Sequence, residues 1–214
     1  MIRAVIFDLD DTLYAENDYV MSGFRAVAAY LHRPELTKKF AEKYSAGSKA
    51  VFDAVCLSEK LETDAKQLAD IYRHHTPDIK LFSDVLPVFA ELAKKEIRLG
   101  LITDGRPFQQ QKKIDALGIE KYFDPIILTD TLGIEHRKPD TYAFELVKDK
   151  WKIPFSDIMY VGDNPRKDFY IGSRGVCTVR ILRENALYRD ETYFENIAPR
   201  YIISSLKEIT EILS

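Results

Sequence analysis

The residues of this chain able to do chemistry fall where short apolar runs stop. After residues 2–7 comes Asp8-Leu9-Asp10-Asp11-Thr12-Leu13, and residues 97–103 end in Thr103-Asp104-Gly105. Residues 158–161 lead into Gly162-Asp163-Asn164, with Asp168 shortly beyond, and Lys138-Pro139 precedes that run. Carboxylates, a hydroxyl and an ammonium gathered at one edge are the composition needed to bind a phosphoryl group together with Mg²⁺. A carboxylate can attack phosphorus and divide a difficult hydrolysis into two displacements through an acyl phosphate. Attack by an anion on a dianion needs its repulsion neutralised, which Mg²⁺ does with oxygen ligands. Lys138 and the Thr103 hydroxyl suit the non-bridging oxygens. Asp10 suits proton transfer, first to the leaving alkoxide and then from the hydrolytic water.

The elements that must position these groups can be read from the pattern around them. Six short apolar, β-branched runs, at residues 2–7, 97–103, 125–129, 158–161, 176–181 and 201–203, fit strands buried on both faces of a parallel sheet. The stretches between them are amphipathic. Val85, Val88, Phe89 and Leu92 share one helical face; Ile114 and Leu117 belong to a second helix that Gly118 ends. Pro139 suits the first turn of a third, with Asp140 near its positive end. Strand and helix in alternation predict an α/β fold, a doubly wound, Rossmann-like and mostly parallel sheet with right-handed crossovers. Ligands of such sheets sit beyond the carboxyl ends of the strands, where the polar residues lie.

One segment breaks the alternation. Residues 15–81 contain helical stretches at 20–31, 36–44 and 61–74, punctuated by Pro34, Gly47 and Pro77, and no convincing strand. The expected organisation is a core of residues 1–14 and 82–214 with a helical insertion at 15–81.

Taken together, the four groups of residues, the last extending through Gly162-Asp163-Asn164-Pro165-Arg166-Lys167-Asp168, resemble the ordered motifs of the haloacid dehalogenase superfamily. The insertion resembles that family's small α-helical cap. The resemblance implies Asp8 as nucleophile and Mg²⁺ ligand, and Asp10 as general acid/base with its backbone carbonyl on the metal. Thr103 and Lys138 would hold phosphoryl oxygens. Asp163 would ligate the metal directly, and Asp168 would support it and orient Lys138. Asp104 and Arg106, at the turn after Thr103, are expected beside the substrate. Singly, each motif reads as a turn or a helix start; their order and strand-end spacing favour the catalytic reading.

Rival readings fit less well. Haloacid dehalogenases and phosphonate hydrolases of this family lack an aspartate at the position of Asp10. A phosphosugar mutase shares both aspartates and the cap type, and stays open. A signalling receiver module phosphorylates a middle strand and has no such insertion, while a binder without turnover would not need the full set. The expected activity is therefore a phosphoric monoester hydrolase acting on a small phosphorylated metabolite, with a sugar or polyol phosphate such as a pentitol phosphate favoured.

Composition narrows the class further. The 214 residues carry 31 basic and 34 acidic side chains, a formal net charge of −3, which advertises no nucleic-acid-binding face. No apolar run approaches membrane-spanning length. Cys56 and Cys177 stand alone without zinc-like spacing, and the acidic start leaves no signal-peptide core, so a cytoplasmic location is expected. His32, His74, His75 and His136 lack ligand spacing and read as surface or capping residues.

Overall fold

The computed structural model describes residues 1–184 and 187–213. Six strands form one parallel sheet in the order β3-β2-β1-β4-β5-β6. They are β1 (Ala4–Phe7), β2 (Arg98–Thr103), β3 (Ile126–Leu128), β4 (Ile158–Gly162), β5 (Cys177–Ile181) and β6 (Tyr201–Ile203). Every residue of β1, β4 and β5 is buried, as expected of inner strands covered on both faces. The strand order reverses at β1, which pairs with β2 on one side and β4 on the other. Phe7 lies in register with both Leu101 and Val161, so the carboxyl ends of the three central strands come out side by side. That crevice is the topological switch point at which doubly wound sheets bind ligands.

The chain divides into two compact units, one of residues 1–15 and 80–213 and the other of residues 16–79. The first holds the sheet. On one side of it Ala4, Ile6, Ile158 and Tyr160 pack with Ala143, Phe144, Val147 and Trp151 of a helix. Each large apolar side chain fully buried there contributes about 1.5–3 kcal/mol. The chain leaves and re-enters this unit at one place. Tyr14 bridges Leu81 in antiparallel fashion, and Phe82 N donates to Leu13 O at 2.9 Å.

The second unit is built from four helices, α1 (Glu16–Tyr30), α2 (Leu36–Ser45), α3 (Val51–Glu59) and α4 (Ala65–His74). Its core is aromatic: Phe24 stacks on Phe40 and meets Phe52 and Tyr72 edgewise or tilted. Gly23 makes that packing possible, because a Cβ there would lie 2.4 Å from the Tyr72 ring. Two helix starts differ from the sequence expectation. α1 begins earlier than residue 20, with Glu16 and Asp18 in the first turn where the helix dipole favours negative charge. α4 begins later than residue 61, because Asp64 caps it by accepting from Lys66 N at 2.9 Å. Helix α3 was not anticipated at all; its nine residues bury only Val55 fully and so present little periodic signal.

The sheet unit adds α5 (Val85–Lys94), α6 (Pro107–Leu117), α7 (Tyr142–Trp151) and α8 (Glu208–Ile212). Helix α6 starts on Pro107 and stops at Gly118, whose φ of +63° is the left-handed cap that glycine takes without strain. Pro139 does not lie in the first turn of α7. That helix starts three residues later, where the Asp140 carboxylate accepts from Tyr142 N at 3.0 Å, and Pro139 belongs to the loop that delivers Lys138. Among the described residues no helix is long and apolar enough to cross a membrane.

Candidate active site

The strand ends bring the acidic residues together. Asp8 follows β1 and is tied to the neighbouring strand by donating its N–H to Val161 O at 2.9 Å. Asp163 follows β4, and Asp168 folds back beneath it through a turn in which Asp168 N donates to Asn164 O at 3.0 Å. Carboxylate oxygens of Asp8, Asp163 and Asp168 all lie within 4.8 Å of one another, and all three residues are buried. Gly162 allows this approach, since a Cβ there would sit 2.4 Å from Asp168 Oδ2.

Lys138 reaches into the cluster from the loop before α7. Its Nζ lies 2.7 Å from Asp8 Oδ1 and 2.8 Å from Asp168 Oδ1, and it donates to the Tyr160 hydroxyl at 2.9 Å. An ammonium has three hydrogens, and these three acceptors account for them. Tyr160 in turn donates to Asp168 Oδ1 at 3.0 Å, while Asn164 N donates to Asp168 Oδ2 at 2.8 Å. Both oxygens of Asp168 are thus engaged by the protein. Asp163 is the opposite case, 4 % exposed and with no donor to its carboxylate among the described residues.

Charge follows from this geometry. Burial, then the neighbouring Asp168 and Asp10, push Asp8 up to about 7 against the pull of Lys138. Burial and the surrounding carboxylates of Asp168, Asp8 and Asp11 raise Asp163 well above the usual range. Burial works to lower Lys138, but Asp168 and Asp8 outweigh it and hold the ammonium charged. One lysine does not balance the carboxylates around it. A hard divalent cation fits the surplus, with oxygen donors only and a buried carboxylate awaiting a partner. Asp163 and Asp8, the latter with Lys138 on its Oδ1, could hold it, with the Asp10 carbonyl two residues beyond Asp8 in the chain, whereas both oxygens of Asp168 are already engaged.

Asp10 lies at the rim and is partly buried. Lys113 Nζ donates to its Oδ1 at 2.8 Å, the Tyr14 hydroxyl donates to the same oxygen, and Gln110 Nε2 donates to Oδ2 at 3.0 Å. Burial tends to raise this carboxyl, yet Lys113 and the two other donors hold it below the usual carboxylate range. Thr103, at the end of β2, is buried and accepts from Gln110 Nε2 at 2.6 Å.

Asp104 turns away from the cluster into its own loop. Its Oδ1 accepts from Thr129 Oγ1 at 2.9 Å and Lys138 N at 3.1 Å, and its Oδ2 from Lys167 Nζ at 3.3 Å. The carboxylate therefore ties the Thr103 turn to the Lys138 loop. Arg106 is exposed at the start of α6 and does not join the buried cluster. The sequence reading missed Tyr160, Gln110 and Lys113. Each had a signal: a tyrosine inside an otherwise apolar strand needs a partner for its hydroxyl. Gln110 and Lys113 sit on the inward face of a helix beside Ile114, where an apolar residue is the ordinary choice.

A buried carboxylate beside a lysine, with further carboxylates from the next strand, thus stands at the switch point of a parallel sheet, the edge at which this class of α/β fold takes its ligands. A model of the haloacid dehalogenase-like hydrolase family matches residues 5–179, and the chain belongs to that family. It is 27% identical over 228 residues to a glyceraldehyde 3-phosphate phosphatase of Methanocaldococcus jannaschii, an alignment covering 100% of this chain and 97% of that protein. It is 24% identical over 221 residues to the pyrophosphatase PpaX of Oceanobacillus iheyensis, covering 99% and 97%. Among solved structures it resembles the magnesium-bound HAD-hydrolase YfnB of Bacillus subtilis, with a TM-score of 0.75 at 19% identity over 100% of this chain and 99% of that one.

Proposed function

We propose that this protein is a Mg²⁺-dependent phosphatase that hydrolyses a small sugar or polyol phosphate through a phospho-aspartate on Asp8. The observation that carries the reading is the contact of Lys138 Nζ with Asp8 Oδ1 at 2.7 Å inside the buried acidic cluster. The ammonium holds the attacking carboxylate and stands beside the non-bridging oxygens that a bound monoester brings. Thr103 offers a hydroxyl hydrogen to the same oxygens. The Asp8 carboxylate attacks phosphorus, the ester bond breaks, and Asp10, which must take up a proton as the dianionic ester enters because its donors keep it ionised in the empty site, gives that proton to the departing alkoxide. Asp10 then takes a proton from the water that attacks the acyl phosphate, releasing phosphate and restoring Asp8. Bound Mg²⁺ would neutralise charge between the carboxylate and the phosphoryl oxygens, held by Asp8, Asp163 and the Asp10 carbonyl.

The names of the full-length relatives favour a triose or related sugar phosphate over a phosphoprotein, and the PpaX relatives add pyrophosphate to the compounds worth testing. Asp10 favours hydrolysis over dehalogenation, because a halide leaves without a proton. In this reading the helical unit of residues 16–79 serves as a cap that limits the site to small substrates. Both cysteines are free, which suits a reducing cytoplasm.

The test is phosphate release with Mg²⁺ or with EDTA, across sugar phosphates, polyol phosphates, nucleoside monophosphates and pyrophosphate. Chelator-sensitive release from one small monoester is the expected result. Silence across the whole panel would remove the proposal.

A further inference from the structure

Gln110 and Lys113 lie one turn apart on α6 and are 2 % and 5 % exposed. Burying an amide and an ammonium is unfavourable by several kcal/mol unless each is satisfied. Both are satisfied by the candidate site. Lys113 donates to Asp10 Oδ1 at 2.8 Å, and the Gln110 amide nitrogen donates to Asp10 Oδ2 at 3.0 Å and to Thr103 Oγ1 at 2.6 Å. One nitrogen makes both Gln110 contacts, and a carboxylate only accepts, so the orientation of the amide is fixed. Since Gln110 donates to Thr103, the Thr103 hydroxyl keeps its own hydrogen to donate elsewhere.

We propose that Gln110 and Lys113 are positioning residues for the reaction proposed above, on which this inference rests. They tie the Asp10 carboxylate and the Thr103 hydroxyl to one rigid helix, so that the proton-transfer group and a phosphoryl-holding group move as a unit. Gln110 turns the Thr103 hydroxyl hydrogen outward, toward an incoming phosphoryl oxygen. Lys113 fixes the carboxylate plane of Asp10, which governs how squarely it meets the leaving oxygen. Helix α6 follows the Thr103 turn directly, so the same short stretch of sequence supplies the hydroxyl and the residues that aim it.

The experiment uses Lys113→Met and Gln110→Leu in the full chain, with Mg²⁺ and two esters. Glyceraldehyde 3-phosphate has an alkoxide leaving group that must take a proton, whereas p-nitrophenyl phosphate releases a phenolate that needs none. With the first ester, kcat of both variants falls by about 10²-fold or more while KM changes little. With the second, Lys113→Met releases the phenolate in a burst of about one equivalent per chain and then slowly, because water attack on the acyl phosphate still needs Asp10, whereas Gln110→Leu, which also leaves the Thr103 hydroxyl unaimed, slows the burst itself. Equal losses on both esters without a burst in Lys113→Met, or unchanged kcat in both variants, overturn the proposal. If both variants lose their cooperative thermal transition, the pair is structural and the proposal fails. Absence of turnover by the unaltered chain, on these esters and on the wider panel, defeats the phosphatase reading itself and is distinct from all of these.

Discussion

Lys138 donates to the Tyr160 hydroxyl at 2.9 Å, and that hydroxyl passes its own hydrogen to Asp168. The tyrosine thus links the ammonium to the carboxylate that sits furthest under the site. Tyr160→Phe removes the link while keeping the ring that packs edgewise on Phe144. The expected result is a stability loss of about 1–3 kcal/mol in urea unfolding, the cost of stripping a partner from buried polar groups. Turnover should fall with it, while KM moves less. Full turnover in this variant would show that Lys138 is held by the two aspartates alone.

Asp8→Asn takes away the proposed nucleophile and leaves a side chain of the same shape. Phosphate release should disappear, and incubation with substrate should no longer yield an acid-stable, hydroxylamine-sensitive phosphoprotein. Retained release would exclude a phospho-aspartate at this position.

The raised carboxyl of Asp8 has a consequence for stability. Its ordinary value is 3.8, and in the folded chain without metal it stands at about 7. Between those values the folded state keeps a proton that the unfolded state has lost, so the metal-free protein loses stability as pH rises through that window. A Mg²⁺ ion held by Asp8, as proposed, would compete with that proton. The rise in melting temperature on adding Mg²⁺ should therefore be small near about pH 5 and larger near about pH 8. An equal rise at both would place the ion elsewhere.

Asp84, before α5, meets Arg183 Nη1 at 2.7 Å and accepts from Ser205 Oγ and Leu206 N, with Arg183 also donating to Thr12 O at 2.8 Å. Burial works to raise this carboxyl, but Arg183 and the two other donors prevail and lower it. A depressed folded-state value means stability that is present above the ordinary 3.8 and is lost as pH falls through the folded value. Asp84→Asn should destabilise the chain at neutral pH by about 3 kcal/mol, since it leaves Arg183 buried without its counter-charge. Unfolding in urea at neutral and acid pH checks both the size and the narrowing of the difference in acid.

The sheet was legible because its strands are buried on both faces, and continuous apolar runs such as Val5-Ile6-Phe7 mark such strands directly. The strand-end residues were legible for the same reason, since a polar residue that closes such a run has one edge to occupy. What escaped was the support beneath them. Tyr160 was hidden by counting as one more apolar strand residue. Gln110 and Lys113 were hidden because a polar residue in a helix reads as solvent-facing until the helix has been docked. Helix α3 escaped because its burial is slight and its sequence carries no cap. The start of α7 was misplaced because proline at a first turn is a common pattern, and here the helix begins only after Asp140, whose carboxylate accepts from Tyr142 N.

The bridge between Tyr14 and Leu81 means that the sheet unit holds its own two cut ends together. A segment spliced in at such a point lengthens a single loop, and the entropy of closing a loop rises only with the logarithm of its length. The insert is accordingly interchangeable in a way the sheet is not. A guest of different size could replace it without altering strand register or the acidic cluster, and the seam would close around the newcomer as before. The seam thus makes the length of the helical segment a separate variable from the geometry of the strand ends.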